Sequence, residues 1–428
     1  MRLRPSIVLL LLLAASLALA PVAWGQATPR ANAVQVQTSP AEQRGRAWVA
    51  ESTCTATARA GGRLVVRADL GSIRVVPGPD NQVNCRVNVE VEAANEARAK
   101  QLVIGHEVGM HVGEDGVLYL NSRFPRAGER DWGRMSVSVS FDLRVPARFN
   151  LDLETRGGSV AVERLEGELR AATAAGSIRT GDISGPVRVE TAGGSIELGN
   201  LGNRVEARTA GGHIRVGDVQ GDAILETSGG RIYAGRAKGA VRAATAGGDV
   251  VIGGSGADVY AQTAGGRIRI GETGGRVRAE TAGGSISVDA AGGPVQAQTA
   301  GGSIDLLRVR TGVEATTVAG RIQAQFAATR ESYQPSTLEN SFGDIEVFLP
   351  ADLPLTIQAE IQQSMGHTIT TDFPLVVKNR GSEFGPRQVE ARGELNGGGG
   401  LLRLRTTGGN IVIRKLNPQG QVETRKKP

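Results

Sequence analysis

Between residues 155 and 322 one phrase returns every 18 residues: Thr, any residue, Gly or Ala, Gly, any residue, then Ile or Val. It reads TRGGSV at Thr155, TAAGSI at Thr173, TAGGSI at Thr191, TAGGHI at Thr209 and TSGGRI at Thr227. It continues as TAGGDV at Thr245, TAGGRI at Thr263, TAGGSI at Thr281, TAGGSI at Thr299 and TVAGRI at Thr317. Ten copies without an intervening insertion require a structure in which each unit meets an identical neighbour, which is the definition of a solenoid.

Superposing the copies assigns a task to each position. Five residues after every Thr stands a branched aliphatic residue, including Val160, Ile178, Ile196, Ile214 and Ile232. Two further on come Val162, Leu198, Val216, Ile252 and Ile270, with polar residues such as Arg179, Glu197 and Arg215 between. That alternation describes a strand with one buried face. A second alternating run leads into each Thr, as in Val187-Arg-Val189-Glu-Thr191. Each coil is therefore expected to carry two short strands, separated by glycine-containing corners. One coil buries too few apolar groups to offset the entropy of ordering it, so neighbouring coils must complete the core. At about 4.8 Å per coil, ten coils make a rod about 48 Å long.

Two columns are expected to be structural. Thr155, Thr173, Thr191, Thr209, Thr227, Thr245, Thr263, Thr281, Thr299 and Thr317 form a threonine column, read as a hydroxyl ladder. An exposed recognition array, for instance toward ice, would instead need Thr-x-Thr pairs, and the neighbouring columns are Ala, Glu, Arg and Gln. Gly158, Gly176, Gly194, Gly212, Gly230, Gly248, Gly266, Gly284, Gly302 and Gly320 form an invariant corner column. The position before it accepts Ala at Ala175 and Ala319, so only the second glycine is expected to need positive φ or close approach to the next coil.

Outside the array the pattern loosens. Residues 1–27 read as a secretory signal peptide, with Arg2 and Arg4 ahead of an apolar run too short for a membrane span. Residues 28–47 are polar and read as a linker, and 48–150 read as a strand-rich cap and first irregular coils. Within that cap, 93–104 is helix-forming, and Gly71 and Ile73 already stand at the spacing of the coil phrase. The regular solenoid is assigned to 151–326, irregular coils to 327–416 and a disordered tail to 417–428. Cys54 and Cys85 are the two cysteines of the chain, and export favours their pairing as a disulfide.

The stretch from Ser136 to Val162, the Thr-x-Gly-x-Ile coils and the ending from Gly397 to Ile413 resemble the bacterial putative-adhesin β-solenoid family, an exported domain of unknown function. The resemblance spans about residues 64–416. It implies an all-β, single-stranded, right-handed β-solenoid acting as a non-enzymatic scaffold, and it transfers no catalytic residues.

The residues agree with that expectation. A polysaccharide-cleaving β-helix would need clustered acids and bases on adjacent coils, walled by loops. Here the corner acids Asp182, Asp218 and Glu272 are interrupted by Arg164, Arg236 and Gly254. His106 and His111 are five apart, one too many for a zincin helix, and Val108, Met110 and Val112 alternate as in a strand. No catalytic, metal or cofactor residue is assigned, and a carbohydrate-active β-helix enzyme is the alternative reading. Without Arg2 and Arg4 the chain has 47 basic and 43 acidic residues, in columns of mixed sign such as Arg188 with Glu190. Envelope proteins or anionic surface polymers are the expected partners, with nucleic acid not among them; no later stretch is apolar enough to span a membrane. The compartment is periplasm, outer surface or medium.

The period generates a direct test. Excising residues 227–244, one full coil, brings equivalent positions together and should leave a folded rod one layer shorter. Excising only nine of them juxtaposes strands with corners and should abolish folding. Circular dichroism and soluble yield of the two deletions decide it; equal behaviour overturns the 18-residue coil.

Overall fold

The computed structural model describes residues 34–125, 135–381 and 387–416. The signal peptide assigned to 1–27 and the tail assigned to 417–428 lie outside the described residues. The chain is a β-solenoid. Strands ending in the Thr column stack in parallel at 18-residue steps: Leu151 on Leu169, Leu169 on Val187, and so on to Val295 on Val313. Those following the glycine corner stack likewise, Val160 on Ile178 through Ile304 on Ile322.

A third inward position was not anticipated. Ten residues after the Thr, Leu165, Ile183, Leu201, Val219 and Ala237 are buried and bridge in parallel from coil to coil. From Ile232–Ala237 onward this position joins the preceding strand. The core of a coil is therefore supplied from three stretches of chain.

The Thr column works through the backbone. All ten side chains are buried. Each hydroxyl donates, at 2.8–2.9 Å, to the carbonyl of the corner glycine one coil earlier: Thr173 to Gly158, Thr191 to Gly176, and so on to Thr317 and Gly302. From Gly176 to Gly302 the glycine of the same coil donates its N–H back to that hydroxyl, at 3.2–3.4 Å. The hydroxyl-to-hydroxyl ladder is thus corrected: the oxygens sit where the chain turns and the strand ladder lapses, and unpaired backbone groups are the nearer partners.

The glycine column owes its identity to close approach. A Cβ on Gly266 would come within 3.0 Å of the Gly248 carbonyl carbon and oxygen, and every interior corner glycine meets its predecessor similarly. Only at the ends of the column, Gly158 at φ +130° and Gly320 at φ +140°, is a conformation that disfavours side chains added. One residue earlier a Cβ is tolerated, standing 3.5 Å from a carbonyl at Gly265.

Both ends break chain order. At the first, Arg63–Ala68 pairs with Asn150–Thr155 on one side and Leu118–Arg123 on the other. Ser72–Gly78 lies likewise between Val160–Val162 and Met135–Pro146. The coil at 63–78 therefore lies directly under the array, and the later strands Leu118–Arg123 and Met135–Pro146 lie outside it. At the other end Gly400–Gly408 and Ile411–Leu416 insert between the coil of Ser336–Phe342 and Ile345–Pro350 and that of Leu355–Ile361 and Ile369–Thr371. The corner bond follows this spatial order: Thr155 donates to Gly71, Asn340 replaces Thr with its amide on Gly320, and Thr406 donates to Gly343.

The first end is capped by antiparallel strands. Met135–Pro146 pairs with Gln82–Ala93, which pairs with Ala47–Thr57. Cys54 and Cys85 stand directly opposite in that last pair, Cα atoms 4.9 Å apart, and their sulfurs are bonded. The linker reading of 28–47 is corrected from residue 34 on. Val34–Thr38 and Glu42–Arg44 both pair with Ala47–Thr57, because Val34 and Val36 alternate with glutamines and set one apolar edge against the core. The helix Glu96–Gly105, capped by the Asn95 side chain, covers the wall with Ala99, Leu102 and Val103. At the opposite end the outermost strand Val376–Arg380 is wholly exposed, and Lys378 and Arg380 on it discourage edge-to-edge association.

His106 lies buried beside the helix, its Nε2 2.8 Å from Ser122 Oγ and its ring 4.5 Å from that of Phe124. Burial pushes its pKa down to about 4, against a weak opposing pull from Asp69.

Two predictions follow from this packing. Gly265→Ala should be near neutral, whereas Gly266→Ala should cost about 1–3 kcal/mol by overpacking, read as separated urea midpoints; coincident midpoints overturn the corner geometry. For His106, the unfolded chain binds a proton below about pH 6.5 and the folded chain does so only near pH 4. Stability is therefore present above pH 6.5 and falls by about 3 kcal/mol as pH drops toward 4. The pH dependence of urea unfolding in wild type minus that in His106→Asn isolates this loss, and a difference near zero contradicts it.

Candidate functional site

Residues five, seven and ten after the Thr, with the Thr itself and those two and four before it, point inward, so what the rod offers a partner is its outward columns. Many polar side chains there are engaged by the next coil. Four residues after the Thr, Ser159, Ser195, His213, Asp249, Ser285 and Ser303 each accept the backbone N–H of the residue 18 positions on. Asp182, Asn200 and Asp218 do the same at another corner, and Asp222 and Asp258 at a third. Corner N–H groups lack a strand partner, and these acceptors supply one. Sequence reasoning missed this role, although a polar residue in all ten copies four places after the Thr was its signal.

The acids considered for catalysis have such partners. Asp182 and Asp218 cap backbone N–H groups, and Glu272 lies 3.7 Å from Arg236 and 3.2 Å from Arg308. The two histidines are separated by their surroundings: His106 is held by Ser122, while His111, on the strand Glu107–Val112, stacks on Tyr119 at 5.2 Å. Among the described residues no three His, Cys, Asp or Glu are grouped to hold a metal ion. Cys54 and Cys85 are buried in the cap, and the Thr and Gly columns lie at a corner where their polar groups face one another.

A groove of about 750 Å³ runs beside the Thr column over several coils. Ala174, Ala192, Ala210 and Ala246 line it, together with Glu190, Arg208 and Glu226. Arg208 hydrogen-bonds Glu226 at 2.9 Å and also contacts Glu206; the Glu226 bond, with the nearby acids, raises its pKa. Cross-coil pairs recur on both faces: Arg188 with Glu206 at 2.9 Å, Arg179 with Glu197 at 3.1 Å, Arg321 with Asp305 at 3.1 Å. Exposed pairs of this kind set register more than stability.

One stretch departs from that balance. On the face of Ile214–Val216, Ile232–Ala237, Val250–Ser255 and Ile268–Thr273, exposed His213, Arg215, Arg231, Tyr233, Arg267 and Arg269 share the surface with two acids, Asp249 and Glu272. Arg215 lies over the Tyr233 ring at 4.8 Å, and Arg231 approaches Asp249 at 3.7 Å.

No helix among the described residues is long and apolar enough to cross a membrane. No protein-family model matches the chain. No curated protein matches it either. Among solved structures, a putative cell adhesion protein from Clostridium sporogenes ATCC 15579 aligns over 90% of this chain and 99% of that one, at 7% identity and a TM-score of 0.16.

Proposed function

We propose that this chain is an exported, non-enzymatic β-solenoid scaffold with an adhesin-like role, holding interaction surfaces at the cell surface or in the envelope. The observation that carries the reading is the employment of the polar corner residues. Asp182, Asp218, Asp222 and Asp258 hold the backbone of the next coil, so the side chains best suited to acid–base work are part of the stacking itself. What remains outward is a set of charged columns at fixed spacing on a rigid rod, suited to repeated weak contacts with an extended partner. The resemblance of 136–162 and 397–413 to the putative-adhesin family supports the same reading, as does the leader-like segment 1–27 for export.

The test uses the full chain expressed in a bacterium with its leader, followed by binding of the purified mature protein to envelope fractions and to arrayed polysaccharides. Expected are a mature N-terminus near residue 26 or 28, saturable binding to envelope material, and unchanged polysaccharide after prolonged incubation. Retention of residues 1–27 in the cytoplasm overturns export. Release of shortened oligosaccharides by protein purified to homogeneity overturns the scaffold in favour of a carbohydrate-active enzyme.

A further inference from the structure

We infer that the face formed by the coils of Thr209, Thr227, Thr245 and Thr263 is a binding surface for an acidic polysaccharide, gripped by Arg215, Arg231, Arg267 and Arg269. This deepens the scaffold reading and rests on it for its biological setting.

Charge provides the first reason. Both acids on these strands are already engaged: one Asp249 carboxylate oxygen accepts the Arg267 backbone N–H at 2.9 Å and the other lies near Arg231, while Glu272 lies 3.7 Å from Arg236 and 3.2 Å from Arg308. Elsewhere on the same face the arginines are matched, Arg179 by Glu197 and Arg321 by Asp305. Arg215, Arg267 and Arg269 have no carboxylate within ion-pair distance among the described residues. A solenoid that pairs its charges across coils has left three guanidinium groups together on one open face. Guanidinium forks suit carboxylate and sulfate groups through two parallel hydrogen bonds.

Shape provides the second. Arg215 and Arg269 occupy equivalent positions three coils apart, or about 14 Å along the rod at the strand spacing. The surface between them is a continuous sheet face without a wall. It fits a linear polymer lying along the axis and bearing a charge on successive sugars, rather than a compact ligand, which would need a pocket.

The aromatic residue separates polysaccharide from single-stranded nucleic acid. Base binding without sequence preference relies on exposed aromatic faces. Here Tyr233 has Arg215 over one face of its ring. Tyr260 on the opposite sheet is flanked likewise by Arg242 at 4.5 Å and Arg278 at 5.8 Å. With one lone, partly covered tyrosine among several arginines, this face is built for charge and hydrogen bonding more than for the serial stacking that single-stranded nucleic acid uses.

The experiment measures binding of the mature chain to polygalacturonate, dextran sulfate, neutral dextran and single-stranded DNA at two salt concentrations. Expected are saturable, salt-sensitive binding to one or both acidic polysaccharides and none to neutral dextran. Replacing Arg215, Arg267 and Arg269 together by Gln should raise the Kd about tenfold or more. The triple Arg→Lys variant, which keeps the charge and loses the fork, should bind more weakly than wild type and more tightly than the Gln variant, and the Gln variant should keep the wild-type urea midpoint. Replacing Arg170, Arg242 and Arg278 on the other sheet by Gln is the control and should change Kd less than about twofold. The inference falls if that control loses as much as the patch variant, if DNA binds as tightly with the same sensitivity, or if neither polyanion binds. Envelope binding that survives the patch variant sinks this surface and leaves the scaffold standing. Patch-dependent polyanion binding without any envelope binding does the reverse.

Discussion

The hydrogen bond from a buried threonine hydroxyl to the corner-glycine carbonyl of the coil before it is the contact on which the remaining features depend. A parallel stack satisfies its strands automatically, but at each corner the chain turns and the ladder stops. There the hydroxyl accepts from its own coil and donates to the preceding one, joining two corners through one side chain. Each such bond contributes about 1 kcal/mol, and leaving its buried partners unmet costs more. The geometry demands that successive corners approach closely, which excludes a side chain at the glycine. Threonine and glycine are therefore one requirement written at two positions.

Because the requirement repeats, much of the fold is legible in the order of residues. The period, the inward columns before and after the Thr and the difference between adjacent glycines can be read from spacing, and the helix at the cap from its composition. Other features cannot, and for a common reason: spacing reveals which positions are equivalent, not which groups they touch. The buried Leu165, Ile183 and Leu201 column stands isolated between polar and glycine residues, so it lacks the alternation that marks a strand. Val34 and Val36 alternate over only five residues, too few to stand out from a polar linker. The partner of the threonine hydroxyl is a backbone carbonyl, and backbone leaves no mark in the sequence.

The outward face was readable only in part for the same reason. Mixed signs along columns foretell cross-coil ion pairs, and Arg188 with Glu206 and Arg179 with Glu197 form them. That the corner acids turn toward the N–H groups of the following coil, and so belong to the stacking, requires the three-dimensional arrangement. The same knowledge exposes the exception: once the engaged carboxylates are set aside, the arginines on the coils of Thr209 to Thr263 stand out as a local excess.

The transposed coil at 400–416 gives this rod an assembly order. An ordinary stack grows by adding each new layer to an exposed end as the chain emerges, and its last residues form its last layer. Here residues 400–416 lie one layer in, hydrogen-bonded on both sides to coils that precede them in the chain. Before residues 400–406 arrive, Leu355–Ile361 has only its antiparallel partner Gln388–Leu395 and lacks the parallel strand that joins it to the array. The C-terminal segment thus acts as a bolt slid home after the door is hung, and a chain interrupted shortly before it is left with an open seam.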